Sequence, residues 1–199
     1  MMNFRIRGCC ISVSYLFLAM AAALLFLDHT GVVAATFCAA ALHEGGHFLV
    51  MRIFGTGLSQ IRVTPFGIDI EKSRCAERTY WHDALISLSG PFANLLTAAL
   101  FSLFGRSFLQ FVQVNIALAL FNLLPIEPLD GGQALYSLLC IHWISERAAK
   151  AVSVISFVVL TPVAVLGFLL LFQSPWDFSI LAVSLYLIFL LVFKNGRYY

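Results

Sequence analysis

Long apolar runs broken by short polar connections set the pattern of this chain. Six of them read as helices: Ile11–Leu27, Val32–Phe54, Ala84–Phe104, Phe108–Leu124, Val152–Phe172 and Phe178–Phe193. Each approaches the roughly 20 residues that cross a bilayer at about 1.5 Å per residue. The runs are continuous rather than alternating, so they predict helical spans and not the strands of a membrane barrel. The expected fold class is an all-α integral membrane protein with about six transmembrane helices.

The polar intervals differ in length. Asp28–Gly31, Gly105–Ser107 and Gln173–Asp177 are too short for a folded domain. Gly55–Asp83 is longer, and its stretch Ser59–Glu71 alternates apolar and polar residues on both sides of Pro65-Phe66-Gly67. That pattern predicts a short β-hairpin after the second helix, turning at the proline and glycine. The interval Pro125–Ala151 opens with Pro125, Pro128, Gly131 and Gly132, then reads as helical from about Gln133 to Lys150. No internal repeat or low-complexity segment interrupts residues 1–199, which are expected to form one domain.

Composition agrees with this reading. The chain is 61% hydrophobic and 11% charged, with a mean hydropathy of +0.92. A soluble domain is closer to half apolar and a quarter charged. The net charge of +2 says little, but its placement says more. With the N-terminus in the cytoplasm, the six spans put Arg5, Arg7, Arg52, Arg62, Lys72, Arg74, Arg78, Arg147, Lys150, Lys194 and Arg197 inside, and Arg106 outside. The positive-inside rule therefore predicts a multi-pass cell-membrane protein with both termini cytoplasmic. Arg5 and Arg7 before an apolar run resemble a signal peptide, yet that run is long for one. The cysteines, Cys9, Cys10, Cys38, Cys75 and Cys140, form no CxxC pair and predict no disulfide scaffold. Nucleic acid is not an expected partner.

The candidate chemistry lies inside the second span. His43-Glu44-Gly45-Gly46-His47 is a His-Glu-x-x-His pattern. Residues four apart sit about 40° apart around a helix, so both imidazoles reach one metal ion. Two neutral imidazoles suit zinc and leave room for a third protein ligand and a water. In this pattern the glutamate is the base that takes a proton from the attacking water. Two buried histidines on a small-residue packing face would be the ordinary alternative, but a glutamate at that depth is costly without a role.

Asp130 is the candidate third ligand. It follows Asn122-Leu123-Leu124-Pro125-Ile126-Glu127-Pro128-Leu129 at the end of the fourth span. The prolines end the helix, and Gly131-Gly132 permits close backbone packing. Taken alone, Asp130 fits equally well as the cap of the following helix. Ser89-Gly90-Pro91-Phe92-Ala93-Asn94 places an amide, Asn94, early in the third span, where it must find hydrogen-bond partners. Holding a substrate backbone and packing helices are both open to it.

Taken together and in this order, these three motifs resemble the site-2 protease family of intramembrane zinc metalloproteases, above all the branch of stage IV sporulation protein FB. The resemblance implies one zinc ion held by His43, His47 and Asp130, with Glu44 as catalytic acid and base. It implies supporting or substrate-binding roles for Asn94, Asn122, Pro125, Gly131 and, in the turn of a membrane-associated hairpin, Phe66. It implies a membrane-spanning or membrane-associated protein substrate, such as a pro-sigma or anti-sigma factor, within the lipid bilayer, and regulatory membrane partners. Many relatives carry a PDZ or CBS domain, and neither is recognisable here. Glu127 stands where an uncharged residue is expected.

Two rival functions compete with proteolysis. A zinc transporter would place several ligand clusters along a path, commonly in repeated halves. An inactive relative acting as a membrane binding partner would lack a ligand or the base. The sequence also poses a geometric problem. A span descending from Phe108 nearly exhausts the bilayer by Asp130. Either that helix is strongly tilted or the proline segment turns back.

Overall fold

The computed structural model describes residues 2–6, 9–56, 58–64, 67–72, 79–173 and 183–189, with side chains over 12–56, 79–169 and 183–189. The chain separates into two compact units, residues 1–78 with 92–118, and residues 79–91 with 119–199.

The first unit starts with a sheet. Strands β1 (Met2–Ile6), β2 (Cys9–Val13), β3 (Leu58–Thr64) and β4 (Gly67–Lys72) lie in that order. β1 pairs antiparallel with β2, β2 parallel with β3, and β3 antiparallel with β4. The register sets Ile61 opposite Ile70, Arg62 opposite Asp69 and Val63 opposite Ile68. The turn residues Pro65 and Phe66 lie outside the described residues.

Helix α1 (Tyr15–Leu27) is shorter than the predicted first span, because Ile11–Val13 belongs to β2. Isoleucine and valine suit a strand as well as a span, and hydropathy alone does not separate them. Helix α2 (Val32–Ile53) follows across a tight turn. There the Asp28 carboxylate accepts from the N–H groups of Thr30, Gly31 and Val33 at 3.0, 3.0 and 2.8 Å, and from the Thr30 hydroxyl at 2.8 Å. It thus satisfies donors that the helix start leaves open. At the other end Gly55 has φ +65° and the Thr56 N–H reaches back to the Met51 carbonyl at 2.8 Å. That is a Schellman ending, in which glycine takes the left-handed position.

Helices α3 (Tyr80–Ser102) and α4 (Leu109–Asn122) run through both units, and α3 contains Pro91. In the second unit, α5 (Asp130–Cys140) and α6 (Ser145–Gln173) pack together. The helix predicted from Gln133 to Lys150 is therefore two helices. Its break falls at Ile141–Ile144, where the Leu139 carbonyl receives both His142 and Trp143 N–H groups. Ser145 then opens a helix that continues without interruption into the predicted fifth span.

Three helices among the described residues, Val32–Ile53, Tyr80–Ser102 and Ser145–Leu169, are long and apolar enough to cross a membrane. Of the predicted sixth span, residues 183–189 are described, and they are helical.

The proline segment turns back. A Cβ on Gly131 would collide with the Leu123 carbonyl oxygen, and one on Gly132 with that of Ile126. The first turn of α5 therefore rests directly on the backbone that precedes it. Ile126 and Leu129 are buried with Leu160 and Leu187 in one apolar cluster. Each such side chain contributes about 1.5–3 kcal/mol when fully buried.

Two outcomes follow from this packing. Gly132→Ala should force the segment apart and lower the unfolding stability of detergent-purified protein by about 1–3 kcal/mol, which thermal unfolding would read. At Asp28 the Thr30 hydroxyl, and then the backbone N–H groups, hold the carboxyl at about 2, against an ordinary 3.8. A lowered folded-state value means stability that is present above pH 3.8 and lost as pH falls through 2. Asp28→Ala should therefore lower the unfolding temperature at neutral pH, and the gap from the parent should close on acidification through that window.

Candidate metal centre

Helix α2 buries one stripe of side chains: Ala39, His43, His47 and Met51. Their spacing of four keeps them on one face. Leu42, Phe48, Leu49 and Ile53 are exposed on the other sides, as a lipid-facing helix requires. Both histidines are therefore buried, at 6% and 7% exposure.

The two imidazoles present the same atom to each other. Nε2 of His43 lies 3.2 Å from Nε2 of His47, with the rings at 82°. Two nitrogens at about 2.0–2.1 Å from a tetrahedral zinc ion lie about 3.3 Å apart. The pair is thus spaced as two ligands of one ion. Glu44, the next residue on the helix, is half-buried beside them.

Asp130 is the first residue of α5, and Leu129 is the cap. Its carboxylate is therefore not the helix cap that the sequence left open, but it sits in the first turn, where the helix dipole favours negative charge. By the chemistry of its side chain Asp130 suits the third ligand position beside the His43–His47 pair. Two imidazoles and one carboxylate, with a fourth position left for water, is the donor set of a catalytic zinc site.

The remaining predicted site residues divide. Asn94 is fully buried, and among the described residues neither atom of its side-chain amide has a hydrogen-bond partner. Such an orphaned amide is rare and costly. Asn122 ends α4 and is half-buried. The Pro125 carbonyl lies 3.4 Å from the Ser156 hydroxyl. Gly131 makes the backbone contact described above, and Phe66 lies outside the described residues.

Sequence reasoning missed two residues beside this loop. Ser156, fully buried on α6, accepts the Glu127 N–H at 2.8 Å, and Ser153 donates its hydroxyl to Glu127 Oε2 at 2.8 Å. Serines three apart within an apolar span were the available signal. Asn115 on α4, also fully buried, donates to the Phe111 carbonyl at 2.8 Å.

Residues 104–163 match the family model described as Peptidase family M50. The matched stretch contains Asp130 and its loop, and begins after the histidine pair. Stage IV sporulation protein FB of Bacillus subtilis (strain 168) is 30% identical over 104 residues, which cover 49% of this chain and 36% of that protein. The Synechocystis sp. protein named "Putative zinc metalloprotease sll0528" is 32% identical over 114 residues, covering 51% and 29%. The matches span about a third of the length of these two relatives. Site-2 Protease from Methanocaldococcus jannaschii shares the fold, with a TM-score of 0.62 over 98% of this chain and 95% of that one, at 20% identity. The resemblance to the site-2 protease family drawn from the motifs is borne out.

The centre predicts its own metal dependence. Purified protein should carry about one zinc ion per chain. His43→Ala or His47→Ala should drop that content towards zero, as elemental analysis after dialysis would show.

Proposed function

We propose that this chain is an intramembrane zinc metalloendopeptidase of the site-2 protease type, cutting a membrane-spanning or membrane-associated protein. The observation that carries the reading is the 3.2 Å approach of the buried His43 and His47 Nε2 atoms, in an apolar chain with Glu44 next to the first histidine.

His43 and His47 would hold the ion, with Asp130 as the third protein ligand. When bound, zinc acidifies a water and polarises the scissile carbonyl. Glu44 takes the proton from the attacking water and delivers it to the departing amide nitrogen. Water, a scissile peptide bond and one carboxylate suffice, so the proton returns and Glu44 is regenerated. Asn94, with an unpartnered amide, offers a donor and an acceptor to an unwound substrate backbone. Asn122, Pro125 and Gly131 support the Asp130 loop.

A helical substrate must expose its backbone before it is cut. β4 is an outer strand of the sheet, and an outer strand offers free N–H and C=O groups for strand addition. The β3–β4 hairpin, lying at the membrane, holds the unwound stretch there. The enzyme is a single domain in the cell membrane, with six spans and both ends cytoplasmic. Eleven of its twelve basic residues fall on that side. Its substrates belong to the class of membrane-tethered regulators, such as a pro-sigma or anti-sigma factor, and regulatory membrane proteins act on it.

Glu44→Gln decides the mechanism. In purified form it should keep parental zinc while cleavage of single-span test substrates falls by at least about a hundredfold. Parental cleavage by this variant would remove Glu44 from the chemistry. Stoichiometric zinc with no cleavage of any membrane substrate by the parent would remove the protease reading.

A further inference from the structure

Asp130 follows a seven-residue segment between α4 and α5, and the backbone donors of that segment can be followed one by one. Leu123 donates to the Ala119 carbonyl at 3.0 Å and Leu124 to Phe121 at 3.2 Å. Pro125 and Pro128 have no N–H. Ile126 donates to Leu124 at 2.7 Å and Leu129 to Ile126 at 2.8 Å. The Glu127 N–H alone leaves the segment and its parent helix, and it ends on the Ser156 hydroxyl, on α6, at 2.8 Å.

Ser156 is built for that task. It is fully buried, and its own proton goes to the Val152 carbonyl at 2.7 Å. That bond turns an oxygen lone pair towards the loop. One turn earlier on the same helix, Ser153 donates to Glu127 Oε2 at 2.8 Å. Glu127 is thus gripped at both backbone and side chain, three residues before Asp130. On the other side of the loop, Gly131 and Gly132 leave no space for the first turn of α5 to shift towards Leu123 and Ile126.

We infer that Ser156 and Ser153 of α6, acting through Glu127, are positioning residues that fix the Asp130 carboxylate for metal binding. This rests on the zinc reading above. It assigns a task to Glu127, the acidic residue between the two prolines: its carboxylate is the acceptor that ties the loop to α6. Outer partners that orient ligands commonly change metal affinity by about 10–100-fold when removed.

The test is competition between purified, zinc-loaded protein and a chelator, read as zinc affinity and release rate, with unfolding temperature recorded for each variant without metal. Ser156→Ala should weaken zinc binding by about tenfold or more. Ser153→Ala and Glu127→Ala should each weaken it less. Ser153→Thr and Glu127→Gln keep a hydroxyl donor and an oxygen acceptor, and should restore near-parental affinity. Thr161→Ala, which removes a hydroxyl bonded only to its own helix, should bind as the parent does. If Ser156→Ala fails to fold, the Ser153 and Glu127 pairs decide.

Parental zinc affinity in Ser156→Ala, Ser153→Ala and Glu127→Ala would overturn this inference and leave the metal centre standing. Equal loss in the alanine and the conservative variants would overturn it too, by assigning the residues to packing. A parent that holds no zinc, or holds it equally after His43→Ala, would bring down the zinc reading and this inference with it.

Discussion

A backbone that leaves a helix inside an apolar chain must satisfy its own polar groups, and residues 123–132 are shaped by that constraint. An unpaired buried N–H costs about 1–3 kcal/mol. Over residues 123–129 the requirement is met in three ways: two prolines carry no donor, the N–H groups of Leu123, Leu124, Ile126 and Leu129 find carbonyls in the preceding helix or the loop, and a serine from α6 takes the Glu127 N–H. The prolines are therefore more than helix breakers. Replacing Pro125 or Pro128 with another residue would add a donor with no acceptor assigned to it.

The same constraint explains where the carboxylate sits. Asp130 follows this segment directly, at the first position of α5. A helix start is one of the few places in an apolar setting where negative charge is favoured. The glycines behind it let the helix begin against its own approach segment, with no room for a Cβ at either position. The sequence left a choice between a tilted span and a returning loop. Close packing of Gly131 and Gly132 on Leu123 and Ile126 shows the chain doubling back on itself there.

Legibility from the sequence followed how local each signal was. His43 and His47 announce themselves because four residues is one helical turn, and nothing distant is needed to bring two rings together. Their 3.2 Å approach is a direct consequence. β3 and β4 lie along the alternating Ser59–Glu71 stretch, while the turn expected at Pro65-Phe66 lies outside the described residues. β1 and β2 were missed, since Cys9–Val13 merges into an apolar run whose continuation is α1. The break at Ile141–Ile144 was missed because isoleucine, histidine and tryptophan carry no breaker signal. Burial was the least legible property. Lipid-facing and core-facing positions are both apolar in such a chain, so α2 shows its inner face through Ala39, His43, His47 and Met51 rather than through hydropathy.

Ser153 and Ser156 show why polar residues inside spans carry more information than apolar ones. A helical serine can satisfy itself on the carbonyl one turn back, as Ser137 does with Gln133 and Thr161 with Phe157. Such residues say nothing about their neighbours. Ser156 makes that same bond to Val152, yet uses its second capacity, as acceptor, on another segment. Ser153 instead spends its proton on a carboxylate 26 residues away. A glutamate within an apolar chain demands donors, and two serines one turn apart on a facing helix are a sufficient answer. The charge at Glu127, which looked out of place between two prolines, is then the reason the serines are there. The loop that leads to Asp130 is held by hydrogen bonds to α6 on one side and by glycine contacts on the other.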